Sequence, residues 1–88
     1  MESKPQYKGR KIEKGFKSTL FVLGDALESK LYLVKKNCIR QYDLKSNQNI
    51  KINEESWKNA TAACYGNNFI YISTDNGDLY KVSTMPTF

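Results

Sequence analysis

Two stretches of the chain match each other at a spacing of about 40 residues, and a period of that length signals a fold assembled from repeated supersecondary units. Lys11-Ile12-Glu13 aligns with Lys51-Ile52-Asn53, and Phe16-Lys17 with Trp57-Lys58. Thr19-Leu20-Phe21-Val22-Leu23-Gly24 aligns with Thr61-Ala62-Ala63-Cys64-Tyr65-Gly66, which puts Cys64 at the place of Val22 and predicts a small core side chain there. Downstream, Leu31-Tyr32-Leu33 matches Ile70-Tyr71-Ile72, and Ile39-Arg40-Gln41-Tyr42 matches Leu79-Tyr80-Lys81-Val82. The length differences fall at 25–30, at Ala60 and at 75–77, where connecting loops tolerate insertion.

Each matched segment is short, rich in β-branched and aromatic residues, and bounded by Gly, Asn, Asp or Ser, the pattern of antiparallel strands joined by tight turns. The apolar residues of 26–32 do not sustain a 3.6-residue period, so Leu31-Tyr32-Leu33-Val34 reads as a strand and no segment reads as a helix. Asp75-Asn76-Gly77-Asp78 predicts a hairpin in which Asn-Gly supplies positive φ angles. Lys36-Asn37 holds the equivalent place in the first unit, and Ser46-Asn47-Gln48-Asn49 makes a further turn before Ile50-Lys51-Ile52. The fold class expected is therefore all-β.

Four short strands per unit, with a conspicuous glycine and a tyrosine in the second strand, resemble the blades of β-propellers. Asn67-Asn68-Phe69-Ile70-Tyr71-Ile72 followed by Gly77-Asp78-Leu79-Tyr80-Lys81-Val82 looks most like the divergent repeats of quinoprotein- and tachylectin-type propellers. The paired-glycine mark of kelch repeats and the Gly-His and Trp-Asp marks of tryptophan-aspartate repeats are absent. The resemblance implies a basic arm over 1–9, a first four-stranded antiparallel blade repeat over 10–49 and a second over 50–88. Propellers close with about four blades or more, so two blades leave apolar faces and strand edges open. Two, three or four chains would complete the ring by homo-oligomerisation. After the strand near Ser83 the repeat asks for another like Ile50-Lys51-Ile52, while Arg10-Lys11-Ile12-Glu13 stands ahead of the first unit. The N-terminal strand of one chain is expected to supply the last strand of a neighbour's second blade. The rival expectation is that these residues are one piece of a longer propeller.

An 88-residue chain buries a modest share of its surface when it folds alone. Two cysteines, Cys38 and Cys64, without CxxC spacing and without any histidine, argue against a disulfide framework or a structural zinc. The absence of histidine also removes the usual general base and the serine–histidine and cysteine–histidine pairs, so the chain is expected to be non-catalytic and to need no cofactor. Asp75 and Asp78 sit in a loop too short to surround calcium, and no metal is expected. No apolar run approaches a signal-peptide core or a membrane span, which predicts a cytoplasmic protein without membrane contact. Asn59-Ala60-Thr61 has the form of a glycosylation acceptor but reads as a turn before a strand.

Tyrosine and tryptophan offer rigid contact area to proteins and sugars alike, and this draws attention to Trp57 and its counterpart Phe16 ahead of the first strand of each unit, and to Arg40 and its counterpart Tyr80. These four are the candidate ligand-binding residues, each weighed against a packing role. A protein-interaction scaffold is the first functional expectation, and a lectin with a glycan ligand the second. The unlikeness of Trp57 to Phe16 and of Tyr80 to Arg40 argues mildly against a repeated sugar site. The net charge of +5 is concentrated in residues 1–17, where six cationic side chains face two carboxylates. Lys8, Arg10, Lys11 and Lys14 are the candidate phosphate contacts of a third reading, nucleic-acid or anionic-surface binding. The competing reading is that these charges guard an exposed strand edge.

Overall fold

The computed structural model describes residues 5–12 and 16–86, and seven strands form within them, most where short runs rich in apolar and β-branched residues lie between turn residues. They are β1 (Thr19–Asp25), β2 (Lys30–Lys35), β3 (Ile39–Asp43), β4 (Asn49–Asn53), β5 (Ala60–Gly66), β6 (Phe69–Thr74) and β7 (Leu79–Ser83). No helix occurs among the described residues, and none is therefore long and apolar enough to cross a membrane. The strands make two antiparallel meanders, a four-stranded sheet in the order β1-β2-β3-β4 and a three-stranded sheet in the order β5-β6-β7. The boundary between the sheets falls after Asn53, so Ile50, Lys51 and Ile52 pair within the first sheet. Arg10, Lys11 and Ile12, predicted as a strand, lie in no strand of this chain; Glu13 lies outside the described residues.

The period of two along each strand decides what is buried. Tyr32, Val34 and Ile39 come from one face of the first sheet, and Ile70 and Ile72 from one face of the second. With Trp57 they form a single core, flanked by Phe21, Leu23, Ile52, Ala63, Tyr65 and Val82. Across this joint Tyr32 stacks on Tyr65, with ring centroids 5.0 Å apart and planes 19° from parallel. Leu33 and Tyr42 occupy the other face of the first sheet and are buried as well, Phe16 meeting Tyr42 edge-on at 5.5 Å. The first sheet thus buries side chains on both faces, although Val22 and Gly24 remain exposed on the outer one. The second buries only the face turned to the first.

The turns follow side-chain chemistry, with one departure from expectation. Gly77 has φ 90°, whereas Asn76 is not in the positive-φ region. The loop instead closes through Gly77 N to Thr74 O at 3.1 Å and Thr74 N to Asp78 O at 3.0 Å, a turn lengthened by one residue in which glycine alone takes the left-handed place. The turn with two left-handed residues is at Asn67 and Asn68, φ 48° and 70°, because asparagine tolerates that region and the mirror-image turn suits the twist of β5 and β6.

The two ladders also revise the alignment. β1 and β5 are seven residues each, and both carry a register shift at their start, between Thr19 and Phe21 and between Ala60 and Ala62. Val22 pairs with Leu33 and Ala63 with Ile72, so Val22 and Ala63 hold like places, and Leu23 and Cys64 do likewise. The sequence match is one residue out in this strand, because a gap of uncertain position precedes it. In a strand one residue means the opposite face. Cys64 pairs with Tyr71 on the face of the second sheet opposite Ile70 and Ile72, which no described element covers, and it is therefore exposed rather than a core side chain.

The accessible surface is 6966 Å², whereas a compact monomer of this 10.1 kDa mass exposes about 5,300 Å². The exposed residues 5–12 and exposed apolar side chains, among them Val22, Leu27 and Leu79, contribute to the excess.

Candidate functional site

The connector between β4 and β5 and the hairpin between β6 and β7 meet in a cleft of about 350 Å³, lined by Glu55, Ser56, Trp57, Asn59, Thr74, Asn76 and Tyr80. The connector is held from three sides. Trp57 N donates to Lys36 O at 2.7 Å, Ala60 N donates to Trp57 O at 2.9 Å, and Asp75 N donates to Asn59 O at 3.0 Å. The Trp57 indole N–H donates to Asn53 Oδ1 at 2.9 Å, and the same oxygen receives Glu55 N at 2.9 Å. The Asn53 amide in turn donates to Glu55 Oε1 at 2.9 Å, which orients that carboxylate.

Two of the four candidate ligand residues come together here. The rings of Trp57 and Tyr80 meet edge to face, with centroids 5.5 Å apart and planes at 80°. Trp57 is only 3% exposed and its one donor is used, so what it offers the cleft is an apolar wall. Tyr80 is 41% exposed and lines the cleft. Asn59 and Asn76 add amide groups at the rim, with Thr74 Oγ1 donating to Asn76 Oδ1. The chemistry available is that of contact and hydrogen bonding to a polar ligand.

The other two candidates lie elsewhere. Phe16 packs on Tyr42, and Arg40 is turned to the β3–β4 hairpin, its Nε donating to Asn49 Oδ1 at 2.6 Å and its Nη2 to Asn49 O at 3.1 Å. Lys8, Arg10 and Lys11 are exposed in a segment without strand or helix, and Lys14 lies outside the described residues. Among the described residues no group of three or more acidic or cysteine side chains is arranged to hold a metal ion.

A second cleft, of about 430 Å³, was not foreseen from sequence. It opens where the ends of the two sheets meet and includes Asp25, Glu28, Lys30, Gln41 and Asn68. Asp25 is buried at the end of β1; its Oδ2 accepts the Tyr65 hydroxyl at 2.8 Å and its Oδ1 accepts Glu28 N at 3.3 Å. Nothing local distinguishes Asp25 from an ordinary turn aspartate, since its partner is forty residues away.

Desolvation first, and then the hydrogen bond to Asp25, push the Tyr65 phenol above its ordinary value of 10.0. A raised acid binds its proton more tightly in the folded chain, so its contribution to stability is present below the ordinary tyrosine range and is lost as pH rises through the raised value. Alkaline titration followed by tyrosinate absorbance should find Tyr65 ionising above the free-tyrosine range, and Asp25→Asn should lower its midpoint. An unchanged midpoint in that variant would mean the phenol and carboxylate are not joined in solution.

No family model matches the chain, and no curated protein or solved structure gives a significant match.

Proposed function

We propose that the chain is a non-catalytic binding module, two β-propeller blades whose ring is completed by further copies of itself, and that it serves as a protein-interaction scaffold. The observation that carries this reading is the uncovered outer face of the second sheet. Leu79 is 71% exposed there, beside Cys64 and Tyr71, in a sheet with one strand fewer than its neighbour among the described residues. Supporting it are the two meanders of like order, the shared register shift at the start of β1 and β5, and the face-to-face stacking through one core. In this reading the units are 10–49 and 50–88, β4 belongs by sequence to the second unit and by pairing to the first blade, and residues 10–13 of a neighbour add the fourth strand beside β7. A cytoplasmic location belongs to the same reading.

Native mass tests it. The expected result is two, three or four times 10.1 kDa, giving four, six or eight blades. A folded monomer that does not associate even at high concentration overturns the ring.

The exposed Tyr80 ring flanked by Asn59 and Asn76 favours a second reading, a lectin, because aromatic stacking with amide hydrogen bonds suits a sugar. A monosaccharide thermal-shift screen separates the two: a ligand-dependent rise that Tyr80→Ala abolishes supports the lectin, and a flat response leaves the scaffold. Nucleic-acid or anionic-surface binding through Lys8, Arg10, Lys11 and Lys14 is the third reading. It requires affinity that falls steeply with salt and disappears on deleting 1–14.

A further inference from the structure

The joint inside the chain is front to back. One face of the first sheet, carrying Phe21, Leu23, Tyr32 and Val34, meets one face of the second, carrying Ala63, Tyr65, Ile70 and Ile72. By ladder position the second sheet repeats the first of these faces as Ala62, Cys64, Tyr71 and Ser73, and that repeat is its open side. A shallow apolar depression lies there, bordered by Ala62, Cys64, Tyr71, Ser73 and Leu79. The first sheet repeats the other face as Val22, Gly24, Leu31 and Leu33. Leu33 is buried, but Val22 is 52% exposed and Gly24 is exposed too, on the strand equivalent to the one that makes the internal joint. The molecule therefore ends in two unlike faces, each a counterpart of one half of a joint it already forms.

Resting on the ring reading above, we propose that the face bearing Ala62, Cys64, Tyr71 and Leu79 seats the first sheet of another copy through Val22, Gly24 and Leu31. The internal joint stacks two tyrosine rings, Tyr32 on Tyr65. At the like place between copies Tyr71 meets Gly24, and an added Cβ at Gly24 would have only Leu31 Cδ2 for a neighbour, at 4.0 Å, so the position leaves room for one ring. Cys64, at the place of half-buried Leu23, becomes covered. Because the two faces differ, the contact is heterologous and repeats from copy to copy until the rotation closes. The occupant is a second copy because its exposed face continues the pattern of the established joint, including the inner-strand position of Val22.

Thiol cross-linking of the full chain tests the assignment. In a Cys38→Ser background, Cys64 is the one remaining thiol; adding Val22→Cys places a second thiol on the opposite face. A bis-maleimide with a spacer of about 10 Å matches the separation of packed sheets. The double variant should give covalent multimers in steps of 10.1 kDa, and Cys38→Ser alone should give none. Leu79→Asp added to the double variant should remove the multimers.

Cross-linked dimers from Cys38→Ser alone would mean that two like faces meet about a two-fold axis, which overturns this contact while leaving self-association standing. A native oligomer without cross-links in the double variant overturns the face assignment alone. A folded chain that stays monomeric even at high concentration overturns both the contact and the ring.

Discussion

Trp57→Ala is expected to remove roughly 3–5 kcal/mol of stability, the range for deleting a buried large aromatic side chain. Small domains are held by only about 5–15 kcal/mol in total, so this one change should leave the chain largely unfolded at modest urea concentration. The size of the effect follows from position. Trp57 is 3% exposed, packs in the core shared by the two sheets and meets Tyr80 edge-on. Its loss opens a void at the joint and removes the indole bond to Asn53, leaving the connector to its backbone bonds, among them that to Lys36 O. Trp57→Phe should cost about 1–2 kcal/mol, since a ring remains and Asn53 Oδ1 keeps the Glu55 amide as a donor. Denaturant unfolding of both variants checks the pair. A stable Trp57→Ala that merely loses a ligand would reverse the assignment of Trp57 to the core.

Ile72→Ala should cost about 2–5 kcal/mol, whereas Leu79→Ala should change the stability of the isolated chain by no more than about 0.5 kcal/mol. Ile72 and Leu79 lie on neighbouring strands of one sheet, but Ile72 is fully buried against the first sheet and Leu79 is 71% exposed on the other side. Urea midpoints at a concentration too low for self-association give the comparison directly. Equal costs for the two variants would mean that the outer face is covered within the monomer, and the argument for a second copy would lose its basis. At high concentration Leu79→Ala should acquire a cost of its own, because association then contributes to apparent stability.

Much of the local structure was legible without coordinates. The short apolar and aromatic runs Leu31-Tyr32-Leu33-Val34 and Phe69-Ile70-Tyr71-Ile72 marked strands, and Ser46-Asn47 and Asn76-Gly77 marked turns. Turn chemistry was less legible than turn position: Asn76-Gly77 suggested a turn with two left-handed residues, yet Asn67-Asn68 makes it. The candidate site was half legible. Trp57 and Tyr80 do line one cleft, but Phe16 and Arg40 are engaged with Tyr42 and Asn49, and the Asp25–Tyr65 pair carried no local mark.

What the chain's residue pattern determined by itself is the all-β class, the strand and turn positions, and the concentration of positive charge ahead of the first strand. These depend on side-chain type and backbone preference within a few residues. Only the tertiary structure decided that β4 joins the first sheet, that Cys64 faces outward, that Trp57 is a buried wall, and which sheet face is left open. Each of those depends on a pairing between segments far apart in sequence, where a shift of one residue exchanges inside for outside.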